Sequence, residues 1–194
     1  MTNTPLTRRD AIYTALAVGM VAASAHAQTG EQQNMTADLE AHRHDWDWLI
    51  GSWNVRHHRL KERLASSNEW VEFDGTCTMV PTLNGFGNMD DNWLDIPTGA
   101  YRAMGIRAFN PETRLWSIWW FDERVQTIDP PVRGGFTNGV GRFEGDDVFN
   151  GRPIRVYFQW SEITATSARW EQAFSTDGGA TWEVNWWMQF TRAA

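Results

Sequence analysis

From Gly51 onward apolar and polar residues alternate in short runs, and the runs are separated by small clusters of Gly, Asn, Asp and Pro. A period of two is that of a strand with one buried face and one solvated face. The pattern predicts ten strands, at about 52–64, 69–80, 85–94, 101–109, 115–124, 131–137, 140–148, 152–163, 167–176 and 181–192. The breaks have their own logic. In "FNPETRLW", Pro111 brings the fixed φ that the second position of a tight turn requires. Asn138-Gly139 and Asn150-Gly151 are pairs that accept the left-handed backbone of a two-residue hairpin. "STDGGATW" at 175–182 bends the chain again with Asp177 and two glycines.

Ten consecutive strands joined by tight turns make an up-and-down antiparallel meander. Such a sheet exposes two raw edges unless its last strand closes onto its first. The expected fold is therefore all-β, a closed barrel of about ten strands, and a barrel of that strand number leaves interior room for a ligand. Ahead of it, Ala37–Trp48 has the composition for a short helix of one or two turns, and residues 28–36 form a polar arm. The first 27 residues pair Arg8-Arg9 with a modestly apolar stretch ending in Ala25-His26-Ala27, the form expected of a cleavable twin-arginine export signal. The chain thus divides into a signal at 1–27, an arm and short helix at 28–44, and one barrel domain at 45–194, with no internal linker or repeat. The expected location is the periplasm of a bacterium, with no membrane insertion once the signal is cleaved, because that apolar stretch is too short and interrupted to span a bilayer.

Alternation also assigns faces. From Trp53, one face carries Trp53, Val55, His57 and Arg59, so His57 and His58 point apart. Trp116, Ile118 and Trp120 share a face, as do Ile154, Val156, Phe158 and Trp160, and likewise Trp170, Gln172 and Phe174. On the last strand Trp182, Val184, Trp186, Met188 and Phe190 fall together. Those faces should meet inside the barrel, and all 13 tryptophans lie at or after Trp46. The rings either fill the interior as a solid core or leave a pocket edged with indoles and a few polar groups. The candidate ligand-binding set is Trp53, His57, Arg59, Trp116, Trp120, Phe158, Trp170, Gln172 and Trp186, with Arg59 able to pair with a ligand carboxylate. Trp119 and Trp187 should face outward, where they could instead form an interaction patch.

Charge narrows the partners. Removing Arg8, Arg9 and Asp10 with the signal turns 17 basic and 24 acidic residues into 15 and 23, a net charge of −8. An acidic surface disfavours nucleic acid and anionic membrane, which leaves a small apolar or aromatic molecule as the expected partner of a monomer or homodimer. Cys77 is the only cysteine, so no intramolecular disulfide is possible and packing alone must hold the fold.

Other chemistry is thin. His42, His44, His57 and His58 do not give the spacing of a metal site, and no metal or cofactor is expected. Asp90-Asp91 and Asp146-Asp147 have the oxygen ligands calcium prefers, but both pairs read as solvated acids at strand ends or turns. The 175–182 stretch fits a single Asp-box, a motif that sialidase-like propellers repeat; in a chain of this length it reads as a structural turn. No phosphate loop, dinucleotide fingerprint or nucleophile elbow is present.

The triplet Gly51-Ser52-Trp53 matches the G-x-W signature of lipocalin-like, or calycin, barrels, in which the tryptophan plugs one end. With "DWLIGSW" ending at Trp53, "RLWSIWW" at 114–120, "ARWEQAFS" at 168–175 and "TWEVNWWMQFTR" at 181–192, the chain resembles an uncharacterised bacterial family of calycin-like barrels, distantly similar to nitrobindin-like and fatty-acid-binding barrels. The nitrobindin likeness would imply haem held by a histidine near the C-terminal end, yet no histidine follows His58. The resemblance implies a ligand-binding barrel. Calycin-like folds also host enzymes, so the alternative is a cofactor-free lyase, isomerase or cyclase on an aromatic or terpenoid substrate, with His57 as acid/base.

Overall fold

The computed structural model describes residues 39–125 and 127–194. The chain divides into residues 1–41 and residues 42–194. Of the first unit, only residues 39–41 are described, and they are helical; the expected signal and most of the arm lie outside the described residues. The second unit is the barrel. Among the described residues no helix is long and apolar enough to cross a membrane.

Ten strands follow one another: β1 (Gly51–Leu60), β2 (Trp70–Thr82), β3 (Gly87–Leu94), β4 (Tyr101–Asn110), β5 (Leu115–Asp122), β6 (Val132–Thr137), β7 (Val140–Phe149), β8 (Arg152–Ser161), β9 (Ser167–Ser175) and β10 (Glu183–Arg192). Each pairs antiparallel with its neighbours in sequence, and β10 pairs with β1 to close the barrel. The expected all-β, up-and-down barrel is the fold. The turns form as their residues dictate: Asn138-Gly139 and Asn150-Gly151 all have positive φ, and the Asn110 carbonyl accepts the Arg114 N–H at 2.8 Å. At the 175–182 turn, Asp177 accepts the Thr181 N–H at 2.9 Å, the Thr181 hydroxyl at 2.6 Å and the Ser175 hydroxyl at 2.7 Å. That is a structural turn, as its single copy suggests.

Closure is made by the opening and final strands together. Trp53 lies opposite Arg192, and the pairing runs through to Arg59 opposite Trp186. A short 3-10 turn at Asp47–Leu49 caps this end, and Trp53 donates its indole N–H to the Leu49 carbonyl at 2.8 Å. Arg192 then locks the cap. Its guanidinium lies 3.9 Å from the Trp53 ring centre and donates to the carbonyls of Ile50 at 2.5 Å and Trp48 at 2.6 Å. Beneath the cap Trp46 packs on Trp116, Phe136, Phe143 and Trp160, at centroid distances of 6.0, 4.9, 5.6 and 6.2 Å. This end is a solid aromatic plug.

One face assignment needs correction. A β-bulge between Val184 and Trp186 inserts Asn185 into β10 and breaks the alternation there. Trp186, Met188 and Phe190 point inward, but Trp182 falls on the outer face, its ring tilted against Tyr157 with centroids 4.9 Å apart, and the Tyr157 hydroxyl donates to Glu171. Trp187 does lie outward, stacked 3.6 Å from His58 with the Arg169 guanidinium 4.2 Å from its ring centre.

Because Arg192 joins the cap to the closing seam, Arg192→Ala should cost about 2–3 kcal/mol of unfolding free energy in urea titration, from two charge-assisted hydrogen bonds and a cation–π contact. Arg192→Lys should recover only part of that, since an ammonium lacks the fork that reaches two carbonyls. A change within experimental error for Arg192→Ala would mean the cap is held by the tryptophan alone.

Candidate functional site

Below the plug the inward faces do not fill the barrel. They leave a cavity of about 110 Å³. Its apolar wall comes from Ile118 and Trp120 on β5, Val156, Phe158 and Trp160 on β8, Trp170 on β9, and Trp186, Met188 and Phe190 on β10. The rings interlock: Trp186 lies edge-on to Trp120 at 6.4 Å and to Trp170 at 5.6 Å, and Trp170 tilts over Phe158 at 5.1 Å.

Polar groups enter at two places. On one side His57 and Gln172 line the wall. His57 is 4% exposed, stacks on Phe73 at 4.5 Å, and accepts the Trp186 indole N–H at its Nδ1, 3.3 Å away. The room for its ring exists because residue 75 is glycine: a Cβ there would come within 2.6 Å of His57 Nε2 and 2.5 Å of the Trp93 carbonyl. Burial, reinforced by the Arg59 charge, pushes the His57 pKa down to about 3, so the imidazole is neutral near pH 7. Gln172 donates to Oδ1 of Asn185 at 2.8 Å, which gives the bulged residue its partner inside the barrel.

On another side stands a buried ion pair. Arg107 and Asp90 have side chains 7% and 4% exposed, and Arg107 Nη1 donates to Asp90 Oδ2 at 2.6 Å. The same nitrogen reaches Asn88 Oδ1 at 3.2 Å, while Asp90 accepts the Gly105 N–H at 2.6 Å and an amide N–H of Asn92. Glycine at 105 leaves space for that carboxylate, since a Cβ there would lie 3.0 Å from both of its oxygens. Asp90 is thus no solvated acid at a strand end. It sits in the middle of β3, faces inward, and is paired with Arg107 and hydrogen-bonded to the Gly105 N–H. Asp147 lines the cavity from β7, with Asp129 and Pro130 reaching it from the β5–β6 connection. The Asp129 carboxyl is pushed up, first by burial and then by Asp147 and Asp122.

Of the sequence-derived candidates, His57, Trp120, Phe158, Trp170, Gln172 and Trp186 line this one cavity. Trp53 and Trp116 do not. They belong to the plug, and Trp116 donates its N–H to Asp45 at 2.8 Å. Arg59 lies beyond the wall, 5.3 Å from the Trp186 ring centre and 5.7 Å from that of Phe73. Asp90, Asn92 and Arg107 also line the wall, where alternation along "GNMDDNWL" and "YRAMGIRAFN" turns them inward.

The Cys77 thiol on the wall is pushed well up by burial, so it stays protonated. Among the described residues no group of three His, Cys, Asp or Glu side chains could hold a metal ion. Haem does not fit: the histidine on the wall already accepts a hydrogen bond at Nδ1, its Nε2 abuts the Gly75 backbone, and the cavity is far below the size even of drug-sized sites.

No protein-family model and no curated protein sequence matches the chain. Solved structures share its fold. An S-type phycobiliprotein lyase from Guillardia theta superposes with a TM-score of 0.53 at 8% identity, over 77% of this chain and 90% of that one. A redesigned β-barrel aligns with a TM-score of 0.43 at 10% identity, over 77% of this chain and 96% of that one. At such identities the first likeness is one of barrel architecture.

The state of His57 has a measurable consequence. The folded protein keeps it neutral down to about pH 3, whereas the unfolded chain takes up a proton below its ordinary value of 6.5. Its contribution to stability is therefore complete above pH 6.5 and is lost progressively as the pH falls toward 3. Over that window the loss should approach about 1.4 kcal/mol per pH unit, one proton's worth, in denaturant titrations. His57→Gln, which keeps an acceptor for Trp186, should flatten the acid slope by that amount; an unchanged slope would place the buried proton balance elsewhere.

Proposed function

We propose that this protein binds a small aromatic or apolar molecule in the barrel cavity. The observation that carries the reading is an interior that four tryptophans and two phenylalanines surround without filling: Trp120, Trp160, Trp170, Trp186, Phe158 and Phe190 edge about 110 Å³. An engineered apolar cavity of about 150 Å³ holds benzene, so the volume here suits a ligand built on one ring. The polar groups on the wall are already matched to one another, His57 with Trp186, Gln172 with Asn185 and Arg107 with Asp90. The Trp160 indole N–H and the Arg107 Nε, also buried on residues of the wall, have no hydrogen-bond partner.

Acid/base catalysis by His57 has less support. A group shuttling protons near neutrality needs a pKa near the working pH, and burial has moved His57 to about 3. The lyase activity in the name of the Guillardia theta protein belongs to that protein, and a shared barrel does not transfer it.

Toluene or benzene added to the purified chain should quench or shift tryptophan emission, with a dissociation constant on the order of 0.1 mM for a ligand of that size. Filling the space from the wall with Ile118→Phe plus Val156→Phe should abolish the response while leaving the far-UV spectrum intact. A wild-type protein indifferent to every one-ring probe would refute the cavity reading.

The paired arginines and Ala-His-Ala of the first 27 residues support export to a bacterial periplasm, where such a binder would meet its ligand. In an expressing bacterium the periplasmic fraction should contain a chain beginning near Gln28, and replacing Arg8-Arg9 with lysines should retain the precursor in the cytoplasm. Normal export of the lysine variant would remove the twin-arginine route.

A further inference from the structure

We propose that the cavity takes a neutral aromatic carbonyl compound, whose oxygen accepts from the Trp160 indole N–H and the Arg107 Nε–H at the plug end while its ring lies among the indoles below. The inference rests on the cavity reading above and adds the ligand's polar group and its orientation.

Trp46, Trp160 and Arg107 each keep a buried side-chain N–H that has no hydrogen-bond partner in the protein: Nε1 of both tryptophans and Nε of the arginine. The three side chains form one cluster. The Arg107 guanidinium carbon lies 4.8 Å from the Trp46 ring centre, and Trp160 stands edge-on to Trp46 with centroids 6.2 Å apart. Trp46 belongs to the plug, whereas Trp160 on β8 and Arg107 on β4 line the cavity. Contact with Trp46 therefore places both wall residues where plug and cavity meet, and they are only 2% and 6% exposed. A buried donor left without an acceptor costs folding free energy, and protein interiors seldom leave one. Two of them on the wall of one cavity call for an acceptor, and a carbonyl oxygen has a lone pair for each.

The remaining polar groups decide what kind of acceptor. His57 Nδ1 accepts from Trp186, the Gln172 amide donates to Asn185, and Asp90 accepts from Arg107 Nη1 and the Gly105 N–H. What this wall has to spare at the plug end is donors, so a hydroxyl would bring a third donor to a place that already has two in excess. Charge argues against an anion. The Arg107 charge is already answered by Asp90, and Asp129 and Asp147 line the same cavity, so the wall carries three carboxyl groups against one guanidinium. His57 is neutral near pH 7 and adds no positive charge. A carboxylate would meet net repulsion there, whereas a carbonyl oxygen supplies lone pairs without charge.

The test compares benzaldehyde, styrene and benzoate, which share one ring and differ in whether it carries a carbonyl, a vinyl group or a carboxylate, by calorimetric titration at pH 7. Benzaldehyde should bind the wild-type chain about fivefold or more tighter than styrene, and benzoate should bind more weakly than either. Trp160→Phe keeps a ring in the wall but removes its N–H, and should cut the benzaldehyde-to-styrene ratio at least about threefold. Equal affinities for benzaldehyde and styrene, a ratio unchanged in Trp160→Phe, or tightest binding of benzoate would overturn the carbonyl subsite while leaving the cavity reading intact. Failure of all three probes and of toluene would instead remove the cavity reading and this inference with it. Should Trp160→Phe not fold, the Trp160 indole N–H resonance of the ¹⁵N-labelled wild-type chain must move downfield with benzaldehyde and not with styrene, and the same response to both counts against the subsite.

Discussion

The structure depends on the contact that turns a sheet into a tube, the pairing of β1 with β10 under the Trp53–Arg192 cap. Ten antiparallel strands with free edges would invite association with other chains, and pairing the first with the last abolishes both edges at once. The same junction satisfies backbone carbonyls at Trp48 and Ile50, where the capping turn meets the barrel. A single arginine from the last strand thereby connects the beginning and the end of the domain. With no disulfide available to Cys77, that connection and the aromatic plug beneath it do the work a covalent staple does in smaller disulfide-bonded domains.

Closing the barrel creates the second constraint, an interior that must be both dry and partly polar. Buried charge is tolerated only when paired and hydrogen-bonded, and the Asp90–Arg107 pair meets that condition with Asn88, Asn92 and the Gly105 N–H around it. His57 meets a different one: it is buried neutral, and its Nδ1 is used by Trp186. The Val184–Trp186 bulge introduces Asn185, which is matched by Gln172. His57, Gln172 and Asp90 inside the barrel thus have protein partners, whereas the Trp160 indole N–H and the Arg107 Nε are buried without one.

Much of this was legible along the chain because a strand's period of two is a local rule. Alternation located every strand to within a few residues and turned His57, Trp120, Phe158, Trp170, Gln172 and Trp186 toward one space. It erred where a local rule is broken by an extra residue: one inserted position at Asn185 sent Trp182 to the outer surface. Trp53 and Trp116 were rightly placed on inner faces, but alternation fixes only which side a ring points to and not its height along the axis, so their membership of the plug was not readable. Asp90 and Arg107 were readable by parity, yet their pairing joins neighbouring strands through a register that the sequence does not print.

The sequence alone therefore determined the strand count, the turn chemistry and the inward parity of most rings, because each follows from interactions between residues close in the chain. Only the tertiary structure decided which rings stack into the plug and which stand apart around a cavity, and that Asp90 meets Arg107 out of water. Those outcomes depend on strand register and on height along the barrel axis, quantities set by all ten strands together.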